Sequence, residues 1–251
     1  MTDRFTGRVA VLTGAASGMG RAISLKLVDE GATVVGLDIN GHGLDETAAL
    51  VDAAGGTFTG RVTDVRSRQE CHAAIDGVIE AHQRLDIVGN IAGVSLSQHF
   101  TDVTEEQYDL MMGVNVDGMF WLCQAAIPAI VEAEGTIINI ASNAGLMGQA
   151  YTVAYCTSKG AVVNFTRALA MEFVKHKVRI NAIAPGGVKT PMTSNFALPE
   201  GVDYALMAPY MGFRDMADPN DIANVFAFLA SDEAANVHGA IWSADNGLVA
   251  G

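Results

Sequence analysis

Short apolar runs alternate with helical patterns along almost the whole chain, and this alternation limits the folds that the sequence can adopt. Runs rich in Val, Ile and Leu predict strands at residues 8–12, 32–37, 57–62, 85–90, 136–141, 178–184 and 240–243. The segments between them predict helices at residues 21–30, 41–54, 67–82, 104–132, 152–176 and 218–230, with an interruption of the long helix near Gly113 and Gly118. Strands that alternate with helices predict a parallel sheet covered by helices on both faces.

Composition favours one large domain that spans residues 1–251. Half of the 251 residues are hydrophobic, only 17% are charged, and the mean hydropathy is +0.26, so we expect part of the surface to be covered by further copies of the chain. The formal net charge of −13, with no cluster of Lys or Arg, opposes binding to nucleic acid or to an anionic membrane. A small-molecule substrate is the expected partner.

Cysteine and histidine usage and the N-terminal segment bear on compartment and metal binding. Three scattered cysteines do not form a disulfide framework, and the six histidines show no metal-ligand spacing, so no metal is expected. Residues 1–8 lack the apolar core of a secretion signal, and the most apolar run, residues 119–131, is too short to span a bilayer. We therefore expect a soluble, cytoplasmic protein.

A glycine-rich turn lies between the first strand and the first helix, with Gly14, Gly18 and Gly20 in it. Glycines allow a pyrophosphate to approach the N–H groups of a helix N-terminus, where the helix dipole favours an anion. The second strand ends at Asp38, whose carboxylate suits the two hydroxyls of an adenosine ribose. The spacing differs from G-x-G-x-x-G, so a simple turn and an ordinary strand-end carboxylate remain alternatives.

Tyr155 and Lys159 share one face of a predicted helix because they are four residues apart. A phenol has an ordinary pKa of about 10, and a nearby ammonium would lower that pKa toward neutrality. Ser142, directly after the fifth predicted strand, could hold a substrate oxygen that Tyr155 protonates or deprotonates. The trio suits carbonyl–alcohol chemistry, although a Tyr-x-x-x-Lys pair also arises by chance in many helices.

Residues 191–214 break the regular alternation and are rich in methionine and aromatic residues. We interpret them as a flap over an apolar substrate of moderate size; the alternative is a loop whose short helices only pack on the core.

Taken together, these motifs resemble the short-chain dehydrogenase/reductase family over nearly the whole chain. The matching motifs are Thr13-Gly14-x-x-x-Gly18-x-Gly20, Asp64-Val65, Asn90-x-Ala92-Gly93, the tetrad Asn115, Ser142, Tyr155 and Lys159, and Pro185-Gly186 followed by Thr190. The resemblance implies a doubly wound Rossmann-type sheet of seven strands in one domain, a homotetramer, and hydride transfer between a secondary alcohol and a ketone.

The resemblance also implies a role for each motif. In the tetrad, Tyr155 exchanges the proton, Lys159 lowers its pKa and holds the nicotinamide ribose, Ser142 binds the substrate oxygen, and Asn115 anchors a water molecule. The residues implied to bind the cofactor are Gly14, Ser17, Gly18, Met19, Gly20, Asp38, Ile39, Asp64, Val65, Asn90, Ala92, Gly93, Tyr155, Lys159, Pro185, Gly186, Val188 and Thr190.

NAD is the expected cofactor because Asp38 would repel the 2′-phosphate of NADP and no basic residue stands in the glycine turn or directly after the second strand. Two functions remain as alternatives. One is an NADPH-dependent 3-oxoacyl-thioester reductase, and the other is a catalytically silent dinucleotide sensor. The chain departs from the family pattern at Ile91, where an asparagine is usual, and at Asn246, where glycine is frequent.

Overall fold

Seven parallel strands form the centre of the computed structural model, which describes residues 3–250. Numbered along the chain, their order in the sheet is 3-2-1-4-5-6-7, so the chain winds outward from the first strand in one direction and then in the other. This confirms the predicted doubly wound sheet. The strands are β1 (Val9–Thr13), β2 (Thr33–Asp38), β3 (Thr57–Val62), β4 (Ile87–Asn90), β5 (Thr136–Ile140), β6 (Arg179–Pro185) and β7 (Ile241–Ala244).

Helices cover both faces of the sheet, because successive side chains of a strand point to opposite faces. In β1, Val9 and Val11 pack beneath the helices at residues 68–82, 118–132 and 153–172. Ala10 and Leu12 point to the opposite face and pack beneath the helices at residues 18–29 and 219–230. The helices are α1 (Gly18–Asp29), α2 (Gly41–Ala53), α3 (Arg68–His82), α4 (Glu105–Met112), α5 (Gly118–Glu132), α6 (Val153–Glu172), α7 (Pro191–Ser194), α8 (Tyr204–Met211) and α9 (Pro219–Ala230).

Local signals explain where several helices begin. Thr104 starts α4 with a reciprocal capping box to Gln107, and Asp218 starts α9 with Pro219 at the first helical position. Between α4 and α5, residues Gly113–Asp117 form one π-helical turn, which confirms the predicted interruption. α1 begins at Gly18 rather than at the predicted residue 21, so the last glycines of the turn belong to its first helical turn.

The continuous helical stretch Glu105–Glu132 is long and apolar enough to cross a membrane by length and composition. The prediction that the most apolar run is too short to span a bilayer applied to residues 119–131, which are only part of this 28-residue stretch. In the fold, one face of this stretch is buried: Met119, Leu122, Ala126 and Ile130 pack against α3 and the sheet.

Candidate active site

A cleft of about 330 Å³ opens at the carboxyl ends of β1, β2 and β4, where the direction of winding reverses. It brings together most of the residues predicted to bind a cofactor. The lining residues are Gly14, Ser17, Gly18, Met19, Gly20, Leu37, Asp38, Ile39, Thr63, Asp64, Val65, Arg66, Ile91, Ala92, Gly93, Val94, Leu110, Val114, Thr190, Pro191 and Met192.

The glycine turn leaves the N-terminus of α1 accessible from this cleft. A side chain at Gly14, whose φ is +69°, would come within 3.0 Å of the backbone of Ala92, and a side chain at Gly20 would overlap the carbonyl of Gly14. Ser17, at the N-cap of α1, makes no side-chain capping bond, and the first turn contains no acidic residue. The free N–H groups and the helix dipole therefore face a space that suits a pyrophosphate.

Asp38 lies at the end of β2 with both carboxylate oxygens held by the backbone. Oδ2 accepts a hydrogen bond from Ala16 N at 3.1 Å, and Oδ1 accepts one from Asn40 N at 2.9 Å. These bonds fix the carboxylate at the cleft and leave lone pairs for further donors. The arrangement suits the ribose hydroxyls of a dinucleotide.

Arg66 lines the same cleft, a position that the sequence analysis did not identify. Its Nη2 donates to Asp64 Oδ2 at 2.6 Å, its Nε contacts both carboxylate oxygens, and this ion pair lowers the pKa of Asp64. The stem of Arg66 lies over Gly113, where an added Cβ would be 3.3 Å from Cγ. The residue follows the Asp64-Val65 motif directly, so its position next to this motif was the signal available in the sequence.

Lys159 approaches the cleft through the gap left by a glycine. The side chain of Lys159 is buried, and its ammonium donates to Ile140 O at 2.9 Å. A Cβ at Gly93 would lie 3.5 Å from Lys159 Nζ and 3.2 Å from Asn115 Oδ1. Because Gly93 also lines the cleft, a side chain at this position would fill space between the cleft and the ammonium.

Asn115 lies in the π-helical turn and joins three parts of the site. Its Oδ1 accepts from Val94 N at 2.8 Å, and its Nδ2 donates to Val94 O and to Ser158 Oγ at 2.9 and 3.0 Å. These bonds hold the loop after β4 against α6, which carries Tyr155 and Lys159.

The pKa of Tyr155 differs from the sequence prediction. Burial raises the pKa of Tyr155 above its ordinary value, and the neighbouring Ser142 hydroxyl lowers it by less. Lys159 Nζ lies 5.9 Å from the centre of the Tyr155 ring, and burial lowers the pKa of Lys159 itself to about 8. In the protein alone, burial sets the direction of the shift, so the lowered pKa predicted for Tyr155 is not found, and the Lys159 ammonium donates to Ile140 O instead.

Six residues predicted to bind the cofactor do not line the cleft: Tyr155 and Lys159 on α6, and four others in or beside the sheet or in the core. Asn90 Nδ2 donates to Asn139 Oδ1 at 2.8 Å inside the sheet, and Val188 is buried in the core next to α9. Pro185 pairs with Ala244 in the sheet, and a Cβ at Gly186 would lie 3.0 Å from the Cα of Asp245. These four residues support the walls of the site.

The two departures from the family pattern have structural explanations. The side chain of Ile91 packs in the core, and its backbone N–H donates to Thr13 Oγ1 at 2.9 Å, which ties the glycine turn to the end of β4. Asn246 has a φ of +58°, in the left-handed region that asparagine tolerates, and its Nδ2 donates to Asp215 O.

The segment 191–214 contains α7 and α8 and is tied to the turn before α6 by polar contacts. Asp203 N donates to Tyr151 Oη at 2.8 Å, Tyr210 Oη donates to Ala150 O at 2.7 Å, and His99 Nε2 lies 2.8 Å from Glu200 O. Met207 is buried, whereas most other large apolar side chains of the segment are exposed.

Comparisons with known proteins place the chain among the oxidoreductases that the sequence motifs indicated. The family model described as enoyl-(acyl carrier protein) reductase matches residues 14–249. The 3-oxoacyl-[acyl-carrier-protein] reductase FabG of Thermotoga maritima is 34% identical, covering 98% of this chain and 99% of its own. The 2,5-dichloro-2,5-cyclohexadiene-1,4-diol dehydrogenase LinX of Sphingobium indicum is 37% identical over the full length of both.

A solved structure agrees with the fold as well. The crystal structure of a short chain dehydrogenase from Mycobacterium paratuberculosis bound to NAD has a TM-score of 0.90, with 34% sequence identity and 98% of each chain covered. The fold is thus shared with a protein that is identical to this chain at about one residue in three.

Proposed function

Because this chain is an oxidoreductase that belongs to the short-chain dehydrogenase/reductase family, we propose that it interconverts a secondary alcohol and a ketone with NAD(H). The observation that carries this proposal is the position of Lys159 Nζ next to Gly93, a residue that lines the cleft. Ser142 and Tyr155 lie close enough that the serine hydroxyl lowers the pKa of the phenol. Proton-transfer and cleft-facing groups therefore belong to one site.

Each residue has a distinct role in this proposal. A bound nicotinamide supplies the hydride chemistry. The residues that would hold the dinucleotide are the glycine turn, Asp38, Asp64-Val65, Ala92-Gly93 and Thr190, all in the lining of the cleft. Tyr155 holds a proton at its Oη for the substrate oxygen, and the raised pKa of this phenol favours the protonated form that a ketone requires. Ser142 donates a hydrogen bond to the same oxygen.

Charge at the end of β2 supports NAD over NADP. Among the cleft-lining residues, all within 3–250, Arg66 is the only cation, and Asp64 neutralises it. Arg21, near the glycine turn, is bonded to Glu46 and to backbone carbonyls. A 2′-phosphate next to Asp38 would therefore meet an uncompensated negative charge.

The substrate, assembly and location follow from surface chemistry. The flap contributes apolar side chains such as Met192 to the cleft, which supports a mainly apolar small-molecule substrate.

Phe120 is 42% exposed and contacts Phe165 on the neighbouring helix, so α5 and α6 offer an apolar face to further copies in a homotetramer. The net charge of −13 opposes nucleic acid and anionic membranes, and we place the protein in the cytoplasm.

A direct assay tests the proposal. Purified protein with NAD and a panel of secondary alcohols should produce the absorbance of reduced nicotinamide, and 3-oxoacyl thioesters with NADPH should react more slowly. The relative from Thermotoga maritima favours the reverse ranking. Faster thioester reduction would therefore support the reductase function, and cofactor binding without any turnover would support a dinucleotide sensor.

A further inference from the structure

A short chain of hydrogen bonds ends on the hydroxyl of Ser142. The hydroxyl donates to Asn143 Oδ1 at 3.1 Å and accepts a bond from Ala144 N at the same distance. Gln149 Nε2 donates to the same Asn143 oxygen at 3.2 Å. A serine hydroxyl has only one proton, and here Ser142 donates it to Asn143, whereas the proposed mechanism needs it for the substrate oxygen.

Binding of a substrate must therefore rearrange these hydrogen bonds. When Ser142 turns its proton toward the reacting oxygen, Asn143 Oδ1 loses one of its two donors, although Asn143 is only 7% exposed. The oxygen keeps its bond from Gln149, but the lost second donor carries a free-energy cost that an apolar group placed against it would leave in place. A second hydrogen-bond donor on the substrate would remove it.

We propose that Asn143, oriented by Gln149, accepts a hydrogen bond from a second substrate hydroxyl on the carbon next to the reacting carbon. The preferred substrates are then 1,2-diols and the corresponding 2-hydroxy ketones on an otherwise apolar skeleton. The separation of 3.1 Å between Ser142 Oγ and Asn143 Oδ1 is comparable with the separation of the two oxygens of a 1,2-diol. This inference rests on the proposed alcohol–ketone function.

Gln149 acts through Asn143 and is a positioning residue. Its amide nitrogen is the donor that remains on Asn143 Oδ1 after Ser142 has turned away. It thereby keeps that oxygen in place for the incoming hydroxyl. Replacement of Gln149 by methionine preserves the length of the side chain and removes its amide, including the donor to Asn143.

The test uses secondary alcohols, each paired with the 1,2-diol of the same carbon skeleton, such as cyclohexanol with cyclohexane-1,2-diol. In the wild type, we expect kcat/KM to be about tenfold higher for the diol of each pair that reacts, which is the usual size of one net hydrogen bond. Asn143→Leu should lower kcat/KM for the diol about tenfold more than for the alcohol, and Gln149→Met should act in the same direction by less. The exposed Asn236 offers a matched Asn→Leu control outside the site.

The possible outcomes separate the two levels of the proposal. The diol inference is wrong if the wild type oxidises alcohols at least as well as their diols. It is also wrong if Asn143→Leu and Gln149→Met lower kcat/KM equally for the alcohol and the diol, and the two amides then serve only the fold. Melting temperature and NAD affinity show whether each variant is folded, and Gln149→Met remains informative if Asn143→Leu is not. Absence of turnover with every pair, in a protein that binds NAD, counts against the proposed function itself.

Discussion

Replacement of Asp38 by asparagine gives the strongest test of the cofactor assignment, because it removes one charge at a fixed position. In the wild type, hydrogen bonds from Ala16 N and Asn40 N hold the carboxylate at the wall of the cleft. At about 4 Å and an effective dielectric constant near 20, a negative charge on a 2′-phosphate would be repelled by about 4 kcal/mol. Solvent and salt screening reduce the total to about 2–4 kcal/mol.

This repulsion corresponds to a preference for NAD of roughly 30- to 1000-fold. The assay is kcat/KM with NAD and with NADP at equal ionic strength, for the wild type and for Asp38→Asn. We expect the variant to lose most of the preference, largely through better use of NADP. The preference of the wild type should also narrow as salt is added.

Asp45→Asn provides the matched control, because Asp45 is an exposed residue of α2 that does not line the cleft. It changes the net charge by the same amount and should leave the cofactor ratio unchanged. A wild type that prefers NADP would falsify the role given to Asp38. An equal effect of both variants would show that total charge, rather than this carboxylate, sets the preference.

Four further predictions follow from the same geometry. Tyr155→Phe should lower kcat at least about a hundredfold with little change in the Kd of NAD, measured by fluorescence titration; a smaller loss would remove proton transfer from Tyr155. Burial lowers the pKa of Lys159 to about 8 in the folded protein from 10.5. Between these two pKa values the unfolded state therefore binds more protons than the folded state. From pH 7.5 to 9.5, the free energy of unfolding in urea should rise by about 2 kcal/mol more for the wild type than for Lys159→Met, and equal rises would contradict the lowered pKa. Gly93→Ala should weaken NAD binding and lower kcat, because its Cβ would lie 3.5 Å from Lys159 Nζ; unchanged kinetics would show that the gap is not used. Light scattering should show an oligomer that Phe120→Glu dissociates, and a wild type that is monomeric at micromolar concentration would contradict the assembly.

The sequence was sufficient for the parts of this protein that depend on local geometry. The period of the apolar residues identifies the seven strands and the helices outside segment 191–214, and Asp218-Pro219 and Gly113 mark a helix start and an interruption that the structure confirms. The spacing of four between Tyr155 and Lys159 places them on one helix regardless of the rest of the fold. The order of the motifs was enough to identify the family.

Contacts between distant segments were decided only by the tertiary structure. Gly93 and Lys159 are 66 positions apart in the chain, and only packing shows that the ammonium lies next to this glycine. The same holds for Arg66 at the cleft and for the direction of the pKa shift of Tyr155, where burial outweighs the hydrogen bond from Ser142. Sequence spacing determines which side chains share an element, whereas desolvation and distance between elements depend on how the whole chain packs.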